Sequence, residues 1–359
     1  MIGALHTVKP REKAGAKTAA RYEFQANVSI LKILDIHKAG DDYRAIFDHF
    51  DDLTILNSSS NPTRIKFIQI KGREGVGTWT IKQLVKEELA KAKPRSVIGK
   101  MYKNAADFPT ETDSISFVTN GIFKFKLKDG TTTNSDNTVI KAPDLDDSEL
   151  SAIDAVLEPD FPNPRTPAVE GILFFERTNL PMQEQAVFVT GRLVQYLETY
   201  GAGESFSVQA LYNVLYQNIA ARTRSTEESN SADEFNARKS LSRDEIESLI
   251  SRARSKKQFQ DSWPAISVEM TAAGYTSVEV IRAHTAAISY IMGRARGDRS
   301  ACEFNLKATT ITEKDKQHLC SCGTILKAAS DLQLRLSAGE EYLGALLVEA
   351  YEVISDEKK

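Results

Sequence analysis

The sequence predicts an α/β fold, a mixed sheet flanked by helices over residues 10–203, followed by a mostly α-helical domain over residues 204–359. Three observations carry that prediction. Short apolar runs bounded by turn residues alternate with helical stripes through the first half. Their order, a helix, two strands, a helix, further strands and a last helix, is that of a compact α/β unit. Beyond Gly201-Ala202-Gly203 the strand signals fade, while apolar residues at helical spacing continue.

The first ten residues read as an arm. Residues 11–38 read as one long helix, because Phe24, Val28, Leu31 and Leu34 recur every three or four positions, with Gly40 marking the exit. Residues 41–50 read as a short helix ending near Phe50. Asp52 then opens an apolar strand, Leu53-Thr54-Ile55-Leu56, and Asn57-Ser58-Ser59-Ser60-Asn61-Pro62 is a turn. Residues 65–70 form the next strand, so the pair is expected as a hairpin. Gly72, Gly75 and Gly77 loosen the loop that follows. Thr80 and Gln83 have the spacing of a capping box, which opens a helix expected over 81–93.

Ser114–Thr119 is an expected strand, and residues 122–128 alternate lysines with Phe123, Phe125 and Leu127 up to the Asp129-Gly130 turn. Residues 148–157 read as helix. Gly171-Ile172-Leu173-Phe174-Phe175 is a continuous apolar run, the pattern of a buried central strand. A helix over 183–200 closes the unit. In the second half, 206–221, 243–257, 276–294 and 323–356 carry helical periodicity, and 222–241, rich in Arg, Ser, Glu and Asn, reads as a mobile loop. Nothing in this half declares chemistry, so docking or oligomerisation is its expected role.

Composition narrows the class. Hydrophobic residues make up 41% and charged residues 26%, the balance of a soluble globular protein, and no apolar run is long enough to span a membrane. The N-terminus lacks a basic stretch followed by an apolar core, and three cysteines do not make a disulfide framework, so the cytoplasm is the expected location. The net charge of -3 gives no general attraction to polyanions, but the charges are sorted along the chain. Residues 64–105 hold eleven Lys or Arg against three Asp or Glu, and residues 106–200 hold seven against sixteen. The cationic stretch can line a groove for a polyanion or form a solvated helical surface.

The residues that can carry chemistry are Asp52, Gln69 and Lys71. Gln69 and Lys71 are two apart on a strand and so project to one face. Asp52 reaches the same sheet end only if the strand bends or a bulge shifts the register. Asp52 offers a charged oxygen to a hard divalent ion, Gln69 a neutral carbonyl oxygen and Ile70 its backbone carbonyl. Lys71 can orient an attacking water or stabilise charge on a phosphate. Glu23, on the first helix one turn before Asn27, can add a carboxylate for a second ion or an outer-shell water. Gln25 can hold Glu23 or face the site, but reads more readily as a surface glutamine. Together these groups suit hydrolysis of a phosphodiester.

Arg21-Tyr22-Glu23-Phe24-Gln25, Asp51-Asp52-Leu53-Thr54-Ile55 and Phe67-Ile68-Gln69-Ile70-Lys71, in this order, resemble the PD-(D/E)xK nuclease domain of bacterial antiviral effectors. More narrowly they resemble the double-stranded-DNA endonucleases associated with cyclic-nucleotide signalling systems and the related nuclease subunit of Lamassu defence complexes, the latter fitting the helical C-terminal half better. The resemblance covers about residues 10–200 and implies a restriction-endonuclease-like sheet, Mg²⁺ (or Mn²⁺) dependence and cleavage of double-stranded DNA. It places the metal-binding acid on Asp52, the Glu-x-Lys pair on Gln69 and Lys71, and the helical acid on Glu23. Gln69 departs from the usual Glu, which bears on metal affinity and ion number. The resemblance further implies an SMC-like ATPase and an accessory subunit that restrain the nuclease, with homo-oligomerisation on release. Arg73, Lys82 and Lys86 become candidates for phosphate contact. The alternative is a catalytically inactive DNA-binding or assembly subunit on the same fold.

Other motifs lead nowhere. Lys71–Thr78 is glycine-rich but lacks the Gly-Lys-Ser/Thr ending of a nucleotide loop. Cys302, His318, Cys320 and Cys322 are potential zinc ligands, yet their spacing is tighter than a usual knuckle and no second pair exists. The scattered histidines have no nucleophile partner, and Trp79 and Trp263 read as packing residues.

Overall fold

A computed structural model describes residues 14–75, 77–87, 96–200, 208–226, 229–272, 274–296 and 348. Contacts divide the chain into two compact units, Met1–Arg192 with Ile219–Arg243, and Leu193–Asn218 with Asp244–Lys359.

The first unit opens with α1 (Ala14–Ala39), whose stripe of Phe24, Val28 and Leu34 is buried as its spacing requires. The segment expected as a short helix is instead strand β1 (Arg44–Phe47). Its Tyr-Arg-Ala-Ile-Phe run is too short for periodicity to separate strand from helix, and pairing decides the matter. β1 runs antiparallel to β2 (Leu53–Leu56), and β2 antiparallel to β3 (Ile65–Lys71), which forms the expected hairpin. Asp48 turns the chain between β1 and β2 at φ 47, and its carbonyl accepts a 3.1 Å hydrogen bond from Lys239 Nζ.

After the two-residue strand β4 (Thr78–Trp79), the capping box at Thr80 and Gln83 is present and opens α2. That helix is a single turn, Ile81–Leu84, rather than a helix reaching residue 93; residues 88–95 lie outside the described part. An unforeseen helix, α3 (Val97–Asp107), follows, capped by Ser96, and lays Ile98, Met101, Tyr102 and Ala105 into the core. β5 (Thr112–Thr119) then pairs parallel with β3. Of the alternating 122–128 run, only β6 (Ile122–Phe123) is a strand, pairing with β4, while Lys126 and Leu127 make isolated bridges.

β7 (Val139–Lys141) is a further strand that the sequence did not announce. α4 (Asp147–Leu157), the one-turn α5 (Val169–Ile172), β8 (Leu173–Arg177) and α6 (Gln185–Tyr200) complete the run. β8 buries only Leu173 and Phe175 rather than the whole expected run, Gly171 and Ile172 belong to α5, and the strand is second from an edge; β3 holds the centre of the seven-stranded order β7-β8-β5-β3-β2-β1-β9. The sheet is mixed, with β3, β5 and β8 parallel and the flanking strands antiparallel. Phe67, Phe117, Phe123, Phe125 and Phe175 form an aromatic core against α3 and α4. Each such ring contributes about 1.5–3 kcal/mol by leaving water.

α7 (Val208–Arg224) begins where helical periodicity predicts. Within the segment expected as a mobile loop, 222–241, Ser231 caps α8 (Ala232–Lys239), and β9 (Ser240–Ser242) pairs with β1. A three-residue Ser-Leu-Ser strand carries no period to read, and only its tertiary partner defines it. In the second unit α9 (Arg243–Ala272) runs beyond the predicted 243–257, and α10 (Ser277–Arg296) matches prediction. Trp263 and His284 stack with ring centroids 4.5 Å apart, so Trp263 does pack as expected. The 323–356 helix, apart from Val348, and the Cys302, His318, Cys320 and Cys322 group lie outside the described residues. No helix of the described residues is long and apolar enough to cross a membrane.

Candidate active site

Register alone brings the hairpin acid to the amide–lysine pair. Leu53 is opposite Ile68, so the next pair outward is Asp52 and Gln69. Asp51 and Asp52 sit in the bend that precedes β2, and no bulge shifts the β2–β3 register; the irregularity in β3 lies between Ile65 and Lys66, in its pairing with β5. Gln69 Nε2 donates a short hydrogen bond to Asp52 Oδ2, and the Ile70 N–H donates to the same oxygen at 2.6 Å. The other oxygen, Oδ1, accepts a 2.6 Å hydrogen bond from Gln25 Nε2 on α1.

Gln25, which the sequence reads more readily as a surface glutamine, is the α1 residue that meets Asp52. Its signal was present: Arg21 and Gln25 are four apart, hence on one helix face, and both line the cleft beside Lys71. Glu23 is two positions from each, about 200° round the helix. Among the described residues Glu23 makes no hydrogen bond or ion pair with Asp52, Gln69 or Lys71, and it does not line the cleft. The helix meets the acid with an amide.

Burial pushes the Asp52 carboxyl above its usual range, opposed by the Lys71 charge, the Ile70 N–H and Gln69. Its neighbour Asp51 is pushed up to about 7, first by burial and then by the Asp52 charge. Asn104 of α3 steadies this turn, donating to the Phe50 carbonyl at 2.8 Å. The Lys71 carbonyl accepts a 2.6 Å hydrogen bond from Thr119 Oγ1 at the end of β5, which fixes the lysine's backbone.

A cleft of about 690 Å³ opens here, lined among others by Arg21, Gln25, Lys71, Arg73, Gln83 and Lys86, with Glu87 the opposing charge. Arg73 and Lys86 are part of this lining, whereas Lys82 is exposed and is not.

The donor set has the chemistry of a hard-cation site. Asp52 brings a carboxylate, and Gln25 and Gln69 bring amides that present either N–H or C=O to a neighbour. No group of three or more His, Cys, Asp or Glu that could hold a metal exists among the described residues. The residues therefore fit Mg²⁺ or Mn²⁺ in kind, with Asp52 as the charged ligand.

A long helix, a three-stranded antiparallel meander, a parallel strand, an acid entering the second strand and Gln-x-Lys ending the third define a PD-(D/E)xK-like nuclease domain. Residues 13–223, more than half of the chain, match the family described as Cap4, dsDNA endonuclease domain. The chain belongs to that family of CD-NTase-associated anti-phage nucleases. No curated protein and no solved structure matches it.

Proposed function

We propose that this chain is a Mg²⁺-dependent endonuclease that hydrolyses phosphodiester bonds of double-stranded DNA. The observation that carries the reading is Asp52, hydrogen-bonded by Gln25, Gln69 and the Ile70 N–H, directly behind a cation-rich cleft that Gln25, Ile70 and Lys71 line. A divalent ion would be held by Asp52, with Gln69 and the Ile70 carbonyl as neutral ligands and Gln25 orienting the carboxylate, and would supply Lewis-acid polarisation of the phosphate and a more acidic water. Asp52 is held for this task at both oxygens. Lys71, anchored through Thr119, places an ammonium where negative charge develops on the phosphoryl oxygens and leaving group. Arg21, Arg73 and Lys86 draw the polyanion into the cleft.

On this reading the helical second unit serves docking and oligomerisation, which sets two sites against the two strands of one duplex. The finer assignment, a Lamassu-type nuclease restrained in the cytoplasm by an SMC-like ATPase and an accessory subunit, is supported by the domain order and the helical C-terminal half. Incubation of the full chain with duplex DNA and Mg²⁺, beside Lys71→Ala and Asp52→Ala, tests the activity. Cutting by the parent and loss of cutting by both variants is expected; equal cutting by all three removes the catalytic assignment.

A further inference from the structure

The Arg73 side chain is more ordered than a groove-lining arginine needs to be. Its guanidinium carbon sits 3.8 Å from the Trp79 ring centroid, a stacked cation–π contact. Its backbone is gripped on both sides by one residue: the Arg73 N–H donates to Asn120 Oδ1 at 2.7 Å, and Asn120 Nδ2 donates to the Arg73 carbonyl at 3.0 Å. The indole is fixed in turn, because Trp79 Nε1 donates to Thr119 Oγ1 at 3.1 Å. That same hydroxyl donates to the Lys71 carbonyl, so one threonine sets both the stacking platform and the candidate catalytic lysine. The platform has been given room: a Cβ on Gly121 would stand 2.9 Å from Trp79 Cδ1 and 3.0 Å from the Gly77 carbonyl oxygen.

Among the described residues this assembly has no protein partner for its charge. Among the described residues the guanidinium nitrogens of Arg73 make no hydrogen bond and pair with no carboxylate. Both Arg73 and Trp79 line the cleft that contains Lys71. A planar fork of donors, held against an aromatic face and left unsatisfied, is complementary to two oxygens of a phosphate.

We infer that Arg73, positioned by Trp79, Asn120 and Thr119, is a preformed clamp for a backbone phosphate of the DNA strand next to the one that Lys71 addresses. The inference rests on the nuclease reading and adds to it a positioning unit. Arg73 touches the substrate; Trp79 and Asn120 act through it, by holding the fork in its bound orientation before DNA arrives.

The test is binding of a short fluorescein-labelled duplex to the full chain in EDTA, where it is not cut, followed by anisotropy between about 50 and 200 mM salt. Arg73→Ala should weaken binding severalfold and lower the magnitude of the log–log salt slope by about 0.9, the signature of one lost phosphate contact. Arg73→Lys should keep the slope yet recover little affinity, since an ammonium lacks the planar fork. Trp79→Leu should weaken binding in the parent and add nothing in an Arg73→Ala background, because it acts only through the arginine. An Arg73→Ala protein whose affinity and slope equal those of a parent that binds and cuts duplex overturns the clamp and leaves the nuclease reading standing. A parent that neither binds nor cuts duplex DNA overturns the nuclease reading itself, and the clamp with it.

Discussion

Gln25 on the first helix and Asp52 at the mouth of the hairpin are joined by a 2.6 Å hydrogen bond from the amide nitrogen to Oδ1. This contact locks the helix face that carries Arg21 to the acid, and with Gln69 it leaves neither carboxylate oxygen free to turn. Gln25→Leu should therefore lower cleavage and divalent-ion affinity by about 10–100-fold, the usual cost of losing a group that orients a metal ligand. Steady-state cleavage and calorimetric titration with Mn²⁺ check it. Unchanged values would make Gln25 a bystander.

Gln69→Glu should act in the opposite direction on the ion. A second charged oxygen beside Asp52 raises the ligand charge and tightens the site for a hard cation. In the absence of metal the same change places two carboxylates together and should lower the melting temperature. Calorimetric titration with Mg²⁺ and thermal melts in EDTA should show tighter binding with a less stable metal-free protein. Weaker binding would contradict the assignment of Gln69 to the ion.

Asp51 gives a pH dependence with a definite sign. Its carboxyl titrates at about 7 in the folded chain, against 3.8 for an unperturbed aspartate, because burial and then the Asp52 charge disfavour ionisation. The folded state therefore binds this proton more tightly than the unfolded state. The stability it contributes is complete below the unfolded value and is lost as pH rises through about 7. Asp51→Asn removes that titration, so the variant should gain on the parent in denaturant melts in EDTA between about pH 4 and pH 8. A stability difference that is constant across the window would contradict the raised value.

Leu241, only 1% exposed, is the middle of β9, in a segment whose composition suggests a loop. Leu241→Ala should cost about 2–5 kcal/mol in denaturant unfolding, as expected for truncating a packed core leucine. A loss within about 0.5 kcal/mol, the range of exposed positions, would show that the segment is not part of the sheet.

The legible parts of this fold are those whose signal is local. The stripe on α1, the β2–β3 hairpin with its Asn57–Pro62 turn and the Thr80–Gln83 capping box each have a period or spacing that a single chain displays. β1 and β9 do not. Arg44–Phe47 is short enough to suit helix or strand, and Ser240–Ser242 becomes a strand only because Ala45 and Ile46 lie beside it. α3 went unread for want of a recognised start and stop, although Ser96 caps it.

The candidate site shows the same division. Parity put Gln69 and Lys71 on one face, and residue type marked Asp52 as the acid. The alignment of Asp52 with Gln69 needed the strand register, and the choice between Glu23 and Gln25 needed the rotation of α1 about its axis. Two adjacent polar candidates on a helix point in different directions, and only packing says which one faces the hairpin.

The account stands on Asp52 and Gln69 sharing one ion beside the cleft that Lys71 lines. Anomalous scattering from a Mn²⁺-soaked crystal of the full chain measures this most directly. The predicted result is a single strong peak at direct ligation distance, about 2.1 Å for such a hard ion, from an Asp52 oxygen, with Lys71 facing the same cleft. A peak on another face of the sheet, with Asp52 still bound by Gln25, Gln69 and the Ile70 N–H and by no ion, would contradict it.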